Sequence, residues 1–177
     1  MKKLLTAIAA TTLLWSGVAA AHGPTREKLS ESIEINAAPD AVWALVGDYA
    51  HPEKWMPAVE STTATGGTEK GAIRDLKLKS GGTLKEELKN LDADKKVLQY
   101  KVEDPTDPAV FPVNNYSSTI KVEPAGAGTK VEWNAAFYRW FLNNNPPEGQ
   151  NEAAAKAAVE KVVKESLEHL KAVAEKH

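Results

Sequence analysis

The stretch Arg74-Asp75-Leu76-Lys77-Leu78-Lys79-Ser80-Gly81-Gly82-Thr83-Leu84-Lys85-Glu86-Glu87-Leu88 decides the fold. Two alternating runs flank a glycine pair, the pattern of an antiparallel hairpin with one inward face. Side chains directly opposite each other in such a pair share a face. A two-residue Gly81-Gly82 loop sets Leu76 opposite Glu87 and Leu78 opposite Lys85, which mixes the faces. A three-residue loop, Ser80 to Gly82, sets Leu78 opposite Leu84, Leu76 opposite Glu86 and Arg74 opposite Leu88. Glycine in the left-handed position is a common way to close such a loop. Arg74 and Glu86 then lie on a diagonal, within reach of each other, among leucines.

The same alternation continues downstream. Leu98, Tyr100 and Val102 fall on one side, as do Tyr116, Ser118, Ile120 and Val122, and then Val131, Trp133, Ala135 and Phe137. Ala125 to Gly128 reads as a four-residue loop that sets Val122 opposite Val131, Ile120 opposite Trp133 and Tyr116 opposite Phe137. A slip of one residue would turn every one of these outward. Upstream, Leu29 to Asn36 alternates as a strand. Pro39 suits the first turn of a helix that Gly47 ends, and His51 to Met56 reads as a second short helix. Further strands are expected at Val59 to Thr65, Ala72 to Lys79, Thr83 to Leu91, Val97 to Glu103, Tyr116 to Glu123 and Lys130 to Tyr138. Asp104 to Asn115 and Arg139 to Gln150 read as loops.

The last segment is a long amphipathic helix. Asn151 can cap it, and Ala155, Val159, Val162, Val163, Leu167, Leu170 and Val173 recur at helical steps. Lysines and glutamates fill the opposite side. Such a stripe needs a surface to cover, and the apolar sheet face supplies one. The fold class is therefore α+β, a curved antiparallel sheet wrapped around a long C-terminal helix, with two short helices after the first strand.

The chain has 177 residues. It opens with a secretory signal: Lys2 and Lys3, a short apolar stretch from Leu4 to Trp15, and small residues Ala19-Ala20-Ala21 for cleavage. The domains are then a signal peptide, residues 1–21, and one domain over 22–177 that begins at His22. Without Lys2 and Lys3 it carries 20 basic and 24 acidic residues, a formal charge of −4. That balance speaks against nucleic-acid binding, and no second apolar span suggests stable membrane insertion. The absence of cysteine removes disulfides, thiol catalysis and cysteine ligands. Export without disulfides, behind a short lysine-headed signal, points to the periplasm.

The element order resembles the helix-grip fold of the START and Bet v 1-like (SRPBCC, polyketide cyclase-like) superfamily. Ala41-Val42-Trp43-Ala44-Leu45-Val46-Gly47-Asp48-Tyr49 with Trp55-Met56-Pro57-Ala58-Val59 is similar to the opening motif of that superfamily. Gly81 to Leu88, Phe111 to Thr119 and Val131 to Arg139, with the lead His22-Gly23-Pro24-Thr25, resemble the MxaD-like periplasmic accessory proteins of bacterial methanol oxidation. That resemblance implies partners, methanol dehydrogenase and its cytochrome c, whose interaction such a protein would aid. It implies no cofactor.

Arg74, Glu86, Tyr100, Tyr116 and Trp133 are the candidate cavity residues. Arg74 and Glu86 can anchor a polar ligand group, or they can form a self-satisfied pair that sets the register. Tyr100 and Tyr116 carry hydroxyls on an inward face, which need partners. Trp133 and Phe137 serve equally as core. Trp140 and Phe141, after the last strand, are candidates for a partner surface, or they pack beneath the terminal helix. His22 and His51 offer two nitrogen ligands at no recognisable metal spacing, so no metal site is assigned. No nucleophile and base stand in catalytic sequence context, and no catalytic residue is assigned. Three functions follow: the accessory role implied by the resemblance, carriage of a small apolar or amphipathic ligand, and a cyclase-like enzyme that uses Glu86 with Tyr100 as acid and base.

Overall fold

The strands form a single antiparallel sheet that begins with β1 (Glu27–Ile35) and ends in space with β2 (Val59–Thr65). The computed structural model describes residues 23–176. The signal sequence, its cleavage site, His22 and His177 lie outside the described residues. Between β1 and β2 run α1 (Pro39–Val46) and a 3-10 turn (Pro52–Lys54). Then follow β3 (Ile73–Leu78), β4 (Thr83–Asp92), β5 (Val97–Val102), β6 (Val113–Ala125), β7 (Gly128–Arg139) and α2 (Glu152–Ala174). The seven strands stand in the order β1-β7-β6-β5-β4-β3-β2. This is the expected helix-grip arrangement. No helix among the described residues is long and apolar enough to cross a membrane.

The inward face is the one the alternation picks out. Leu76, Leu88, Leu98, Tyr100, Val102, Tyr116, Ile120, Val122, Val131, Trp133, Ala135 and Phe137 are buried, and so are Arg74, Glu86 and Ser118. Leu78 and Leu84, near the hairpin tip, are half-buried. Ring contacts tie the strands to the elements above them. Trp133 of β7 meets Trp55 edge-on at 5.6 Å between centroids.

The β3–β4 register differs from the expected one by a slide that keeps the faces. Arg74 stands opposite Glu86, Leu76 opposite Leu84 and Lys77 opposite Thr83. Leu78 N–H donates to Gly82 O at 3.1 Å, so the loop is Lys79-Ser80-Gly81 and Gly82 already belongs to the ladder. Positive φ at Gly81 (92°) and Gly82 (82°) permits this closure. The consequence is chemical: the arginine and the carboxylate face each other directly instead of on a diagonal. In an apolar interior, that register brings the two charges into hydrogen-bond contact.

At the β6–β7 hairpin the expected pairs form, Val122 with Val131 and Ile120 with Trp133. The ladder continues one step further, to Ala125 opposite Gly128, so only Gly126 and Ala127 are left to turn. β6 also starts earlier than expected. A bulge lies between the pairs Asn114–Tyr138 and Ser117–Ala136, with Asn115 at φ 50°. The extra residue lets Val113 and Tyr116 both be buried although three positions apart. The Asp104 carboxylate accepts the Asn115 N–H at 3.0 Å and holds the bulge.

α2 lies across β1, β7 and α1. Asn151 Oδ1 accepts the Ala154 N–H at 2.9 Å, as a capping asparagine should. Ala155, Val159, Val163, Ser166, Leu167, Leu170 and Ala174 are buried, and Val162 and Val173 are half-buried at the edges of the stripe. At the far end, Lys171 Nζ donates to Glu34 O at 2.7 Å, and Glu175 Oε1 accepts the Asn36 N–H at 2.8 Å. The helix is thus fastened to β1 at its C-terminal end.

Candidate functional site

β3 and β4 place the Arg74 guanidinium and the Glu86 carboxylate side by side beneath the sheet face. Arg74 Nε donates to Glu86 Oε2 at 2.6 Å, with both side chains almost fully buried. Arg74 Nη1 donates to Tyr49 O at 3.0 Å. The guanidinium lies between two rings, 4.2 Å from the Tyr49 centroid and 5.0 Å from that of Tyr100. The Tyr49 hydroxyl donates to Glu86 O at 3.2 Å and closes the loop. Arg74 Nη2 has no partner among the described residues.

Burial opposes the charge on both members of the pair. For Glu86 burial outweighs the attraction of Arg74, and the carboxyl is held above its ordinary range. For Arg74 the burial penalty is outweighed by Glu86 and by the phenols of Tyr100 and Tyr49, so its charge is held more firmly than usual. The pair is an ionic anchor in an apolar setting.

Beside it runs a buried chain of hydroxyls. The Tyr116 hydroxyl and Ser118 Oγ are 3.1 Å apart, and Trp133 Nε1 donates to the same Ser118 Oγ. Tyr116 packs against Phe111 at 5.4 Å and stacks on Phe137 at 6.3 Å. Burial pushes the Tyr116 hydroxyl up to about 12 and raises those of Tyr49 and Tyr100 as well.

An interior cavity of about 50 Å³ adjoins this cluster. Its wall is apolar, from Met56, Leu76, Leu84, Val102, Phe111 and Val162 of α2, and Glu86 and Tyr116 bring the polar groups to it. Of the five residues singled out in the sequence, the structure puts Glu86 and Tyr116 on this wall. Arg74, Tyr100 and Trp133 stand behind it, in the layer that holds them. The cavity is far smaller than the few hundred Å³ usual for small-molecule sites, because Met56, Phe111 and Tyr116 fill much of the space beneath the helix.

The β3–β4 turn and the loop from Glu103 to Pro112 meet over the cavity. Val110 packs so closely on Gly82 that a Cβ there would collide with it. Thr106 Oγ1 donates to Phe111 O at 2.8 Å and Val113 O at 2.7 Å, which folds the long loop back on itself. Trp140 Nε1 donates to Thr106 O at 2.7 Å. Trp140 and Phe141 are half-buried, and the next residue, Leu142, is 44% exposed. Arg139 organises this end: its Nε and Nη2 donate to Phe141 O (2.6 Å) and Asn143 O (2.9 Å), and Nη1 pairs with Glu152.

Sequence reasoning missed Tyr49, Arg139 and the apolar lining from Met56, Val110, Phe111 and Val162. Tyr49 carried a signal, as an aromatic just past a helix-ending Gly47. Arg139 carried one too, as the inward-phased residue that ends the alternation of β7. His51 Nδ1 lies 2.9 Å from Glu53 Oε1, an exposed pair.

Two outcomes follow from this geometry. Glu86→Ala leaves a buried guanidinium unpaired and should cost about 3–5 kcal/mol in urea unfolding, whereas the double variant Arg74→Met/Glu86→Leu should recover most of that loss. A double variant as unstable as the single one would mean that the pair is not the source of the cost. The phenols give a pH dependence. Tyr49, Tyr100 and Tyr116 hold their protons in the folded chain above the ordinary value of 10.0, so the unfolded chain releases protons first. Stability contributed by these groups is fully present below pH 10 and falls from there toward about 12. In an alkaline absorbance titration, these three phenols should ionise only together with loss of the fold. Reversible ionisation of all tyrosines near pH 10, with the fold intact, would contradict their burial.

Residues 26–175 match the family described as polyketide cyclase/dehydrase and lipid transport. The chain is similar to the abscisic acid receptor PYL7 of Arabidopsis thaliana, 31% identical over 93 residues, which is 51% of this chain and 42% of that protein. It therefore spans less than half the length of that curated relative. Among solved structures it resembles the protein XoxI from Bacillus cereus, at 28% identity and TM-score 0.66, over 82% of this chain and 93% of that one. It also shares the fold of the Zhui aromatase/cyclase from Streptomyces sp. R1128, at 18% identity and TM-score 0.70, over 86% of this chain and 95% of that one. With its strand order, its long closing helix and a family match that runs from Arg26 to Glu175, the chain belongs to the polyketide cyclase/dehydrase and lipid transport family and has a Bet v 1-like, helix-grip fold.

Proposed function

We propose that the protein is a binding protein for a small amphipathic ligand, held in the cavity between the sheet and α2. One observation carries this reading: an ion-paired carboxylate, whose arginine partner keeps one nitrogen without an acceptor among the described residues, stands on the wall of an otherwise apolar cavity. A core that served stability alone would be as stable or more so with apolar residues in place of the pair. A matched family whose description includes lipid transport, and a similar protein that is an abscisic acid receptor, support the same reading. A cyclase-like enzyme is less well supported. Tyr100, the partner of Glu86 in that scheme, lies behind the wall with its ring over Arg74.

Xenon tests whether the cavity admits a guest, because dry apolar cavities take it up. Under xenon pressure, the methyl resonances of Leu76, Leu84, Val102 and Val162 should shift and saturate, and Val162→Phe, which fills the space, should abolish the response. Unshifted methyls in the folded wild type would overturn the reading.

A second reading is the accessory role in periplasmic methanol oxidation. Its support is the set of motifs that resemble MxaD-like proteins, together with the exposed Leu142 beside Trp140 and Phe141, at the end of the sheet where the long loops gather. In this reading the leader directs the chain to the periplasm, and the loop end meets methanol dehydrogenase or its cytochrome c. The rate of cytochrome c reduction by the dehydrogenase should then change in proportion to added protein, and Trp140→Ala/Phe141→Ala should weaken the effect. An unchanged rate with active partners would remove this reading.

A further inference from the structure

The excess charge of the domain is concentrated at its loop end. The loop from Glu103 to Pro112 and the segment from Trp140 to Glu152 hold five acidic residues, Glu103, Asp104, Asp107, Glu148 and Glu152, and no lysine or arginine. Arg139 neutralises Glu152. The other four enter no ion pair among the described residues, and they equal the whole formal charge of −4 on residues 22–177. Asp104, Asp107 and Glu148 are exposed and Glu103 is half-buried. Two lysines that adjoin Glu103 are committed elsewhere. Lys101 Nζ reaches Glu87 Oε2 at 2.8 Å, and Lys85, whose carbonyl accepts the Glu103 N–H, reaches Asp75 Oδ1 at 3.9 Å. The β3–β4 turn, which touches the long loop through Gly82 and Val110, brings one lysine, Lys79.

The same two segments present the apolar surface of this end. Trp140 joins them: its backbone N–H donates to Pro112 O at 3.1 Å and its indole N–H to Thr106 O at 2.7 Å, between Asp104 and Asp107 in the chain. Phe141 follows, half-buried, and Leu142 is the one large apolar side chain left exposed among the described residues. An apolar patch among unpaired carboxylates is complementary to an apolar recess among cations. We infer that the loop end docks a protein whose contact face is rich in lysine or arginine around an apolar recess. A second copy of the chain would set four carboxylates against four across a two-fold contact. An anionic bilayer would repel them as well. The inference rests on the reading of this end as a partner surface and names the chemistry of the partner; it makes no use of the interior cavity.

The test is an NMR titration of the nitrogen- and methyl-labelled chain with a lysine-rich cytochrome c, a basic protein whose haem edge is an apolar recess. It is run at about 0.1 M salt, where charges more than about 10 Å away are largely screened. The Trp140 indole N–H and the Leu142 methyls should shift and saturate. Glu103→Gln/Glu148→Gln should weaken binding about fivefold, the usual weight of two exposed ion pairs. Glu69→Gln/Asp94→Asn removes the same charge from exposed positions outside the two segments and should leave the affinity in place. Leu142→Ser, which keeps every charge, should weaken binding too. Equal weakening by both charge variants, with shifts spread over the whole surface, would overturn the inference as non-specific attraction. No shift, or an unaltered affinity of Leu142→Ser, would overturn it as well. Stronger shifts of Trp140 and Leu142 with phosphatidylethanolamine/phosphatidylglycerol vesicles than with the protein would make this end a membrane contact instead. In each of these cases the accessory reading still stands or falls on the rate of cytochrome c reduction, measured with its own partners.

Discussion

The Arg74–Glu86 ion pair is the constraint on which the rest of the structure depends. It fixes β3 against β4 directly, residue opposite residue. Through Tyr49, which accepts from Arg74 and donates to Glu86, it also fixes the segment that leaves α1. Taking two charges out of water costs several kcal/mol per ion. The structure offsets this with a short charge-assisted bond, a backbone acceptor and two aromatic faces. The offset is incomplete, because Arg74 Nη2 is left without a partner among the described residues. A polar pair held this firmly and satisfied this imperfectly marks the place where chemistry enters an otherwise apolar interior.

The cavity and its closure follow from the same arrangement. β3 and β4 carry the pair, and their turn carries Gly82, against which Val110 packs. The long loop before β6 supplies Phe111, whose ring meets Tyr116, and Thr106, which ties the loop to itself and to Trp140. The polar wall and the covering loops therefore belong to one connected unit. α2 contributes Val162 from the half-buried margin of its stripe, while its fully buried residues pack on β1 and β7. The helix grips one half of the sheet, and the space remains under the other half.

Much of this was legible in the sequence. The alternation through Leu76, Leu88, Tyr100, Ile120 and Trp133 located the inward face, because a half-buried strand leaves a period-two record. The stripe from Ala155 to Leu170 located the helix for the analogous reason. The exact opposition of Arg74 and Glu86 was not legible: two loop closures kept the faces, and only the backbone of Gly81 and Gly82 chooses between them. The start of β6 was hidden by the bulge at Asn115, which breaks the period between Val113 and Tyr116. The size of the cavity was hidden as well. It depends on how far Met56 and Phe111 reach from loops into the interior, and spacing along the chain carries no record of that.

The most direct measurement is a crystal structure of the chain under xenon pressure. Ligand binding in this cavity predicts xenon density against Leu84, Val102 and Val162, with the Arg74–Glu86 bond intact. A cavity that stays empty at saturating xenon would contradict it.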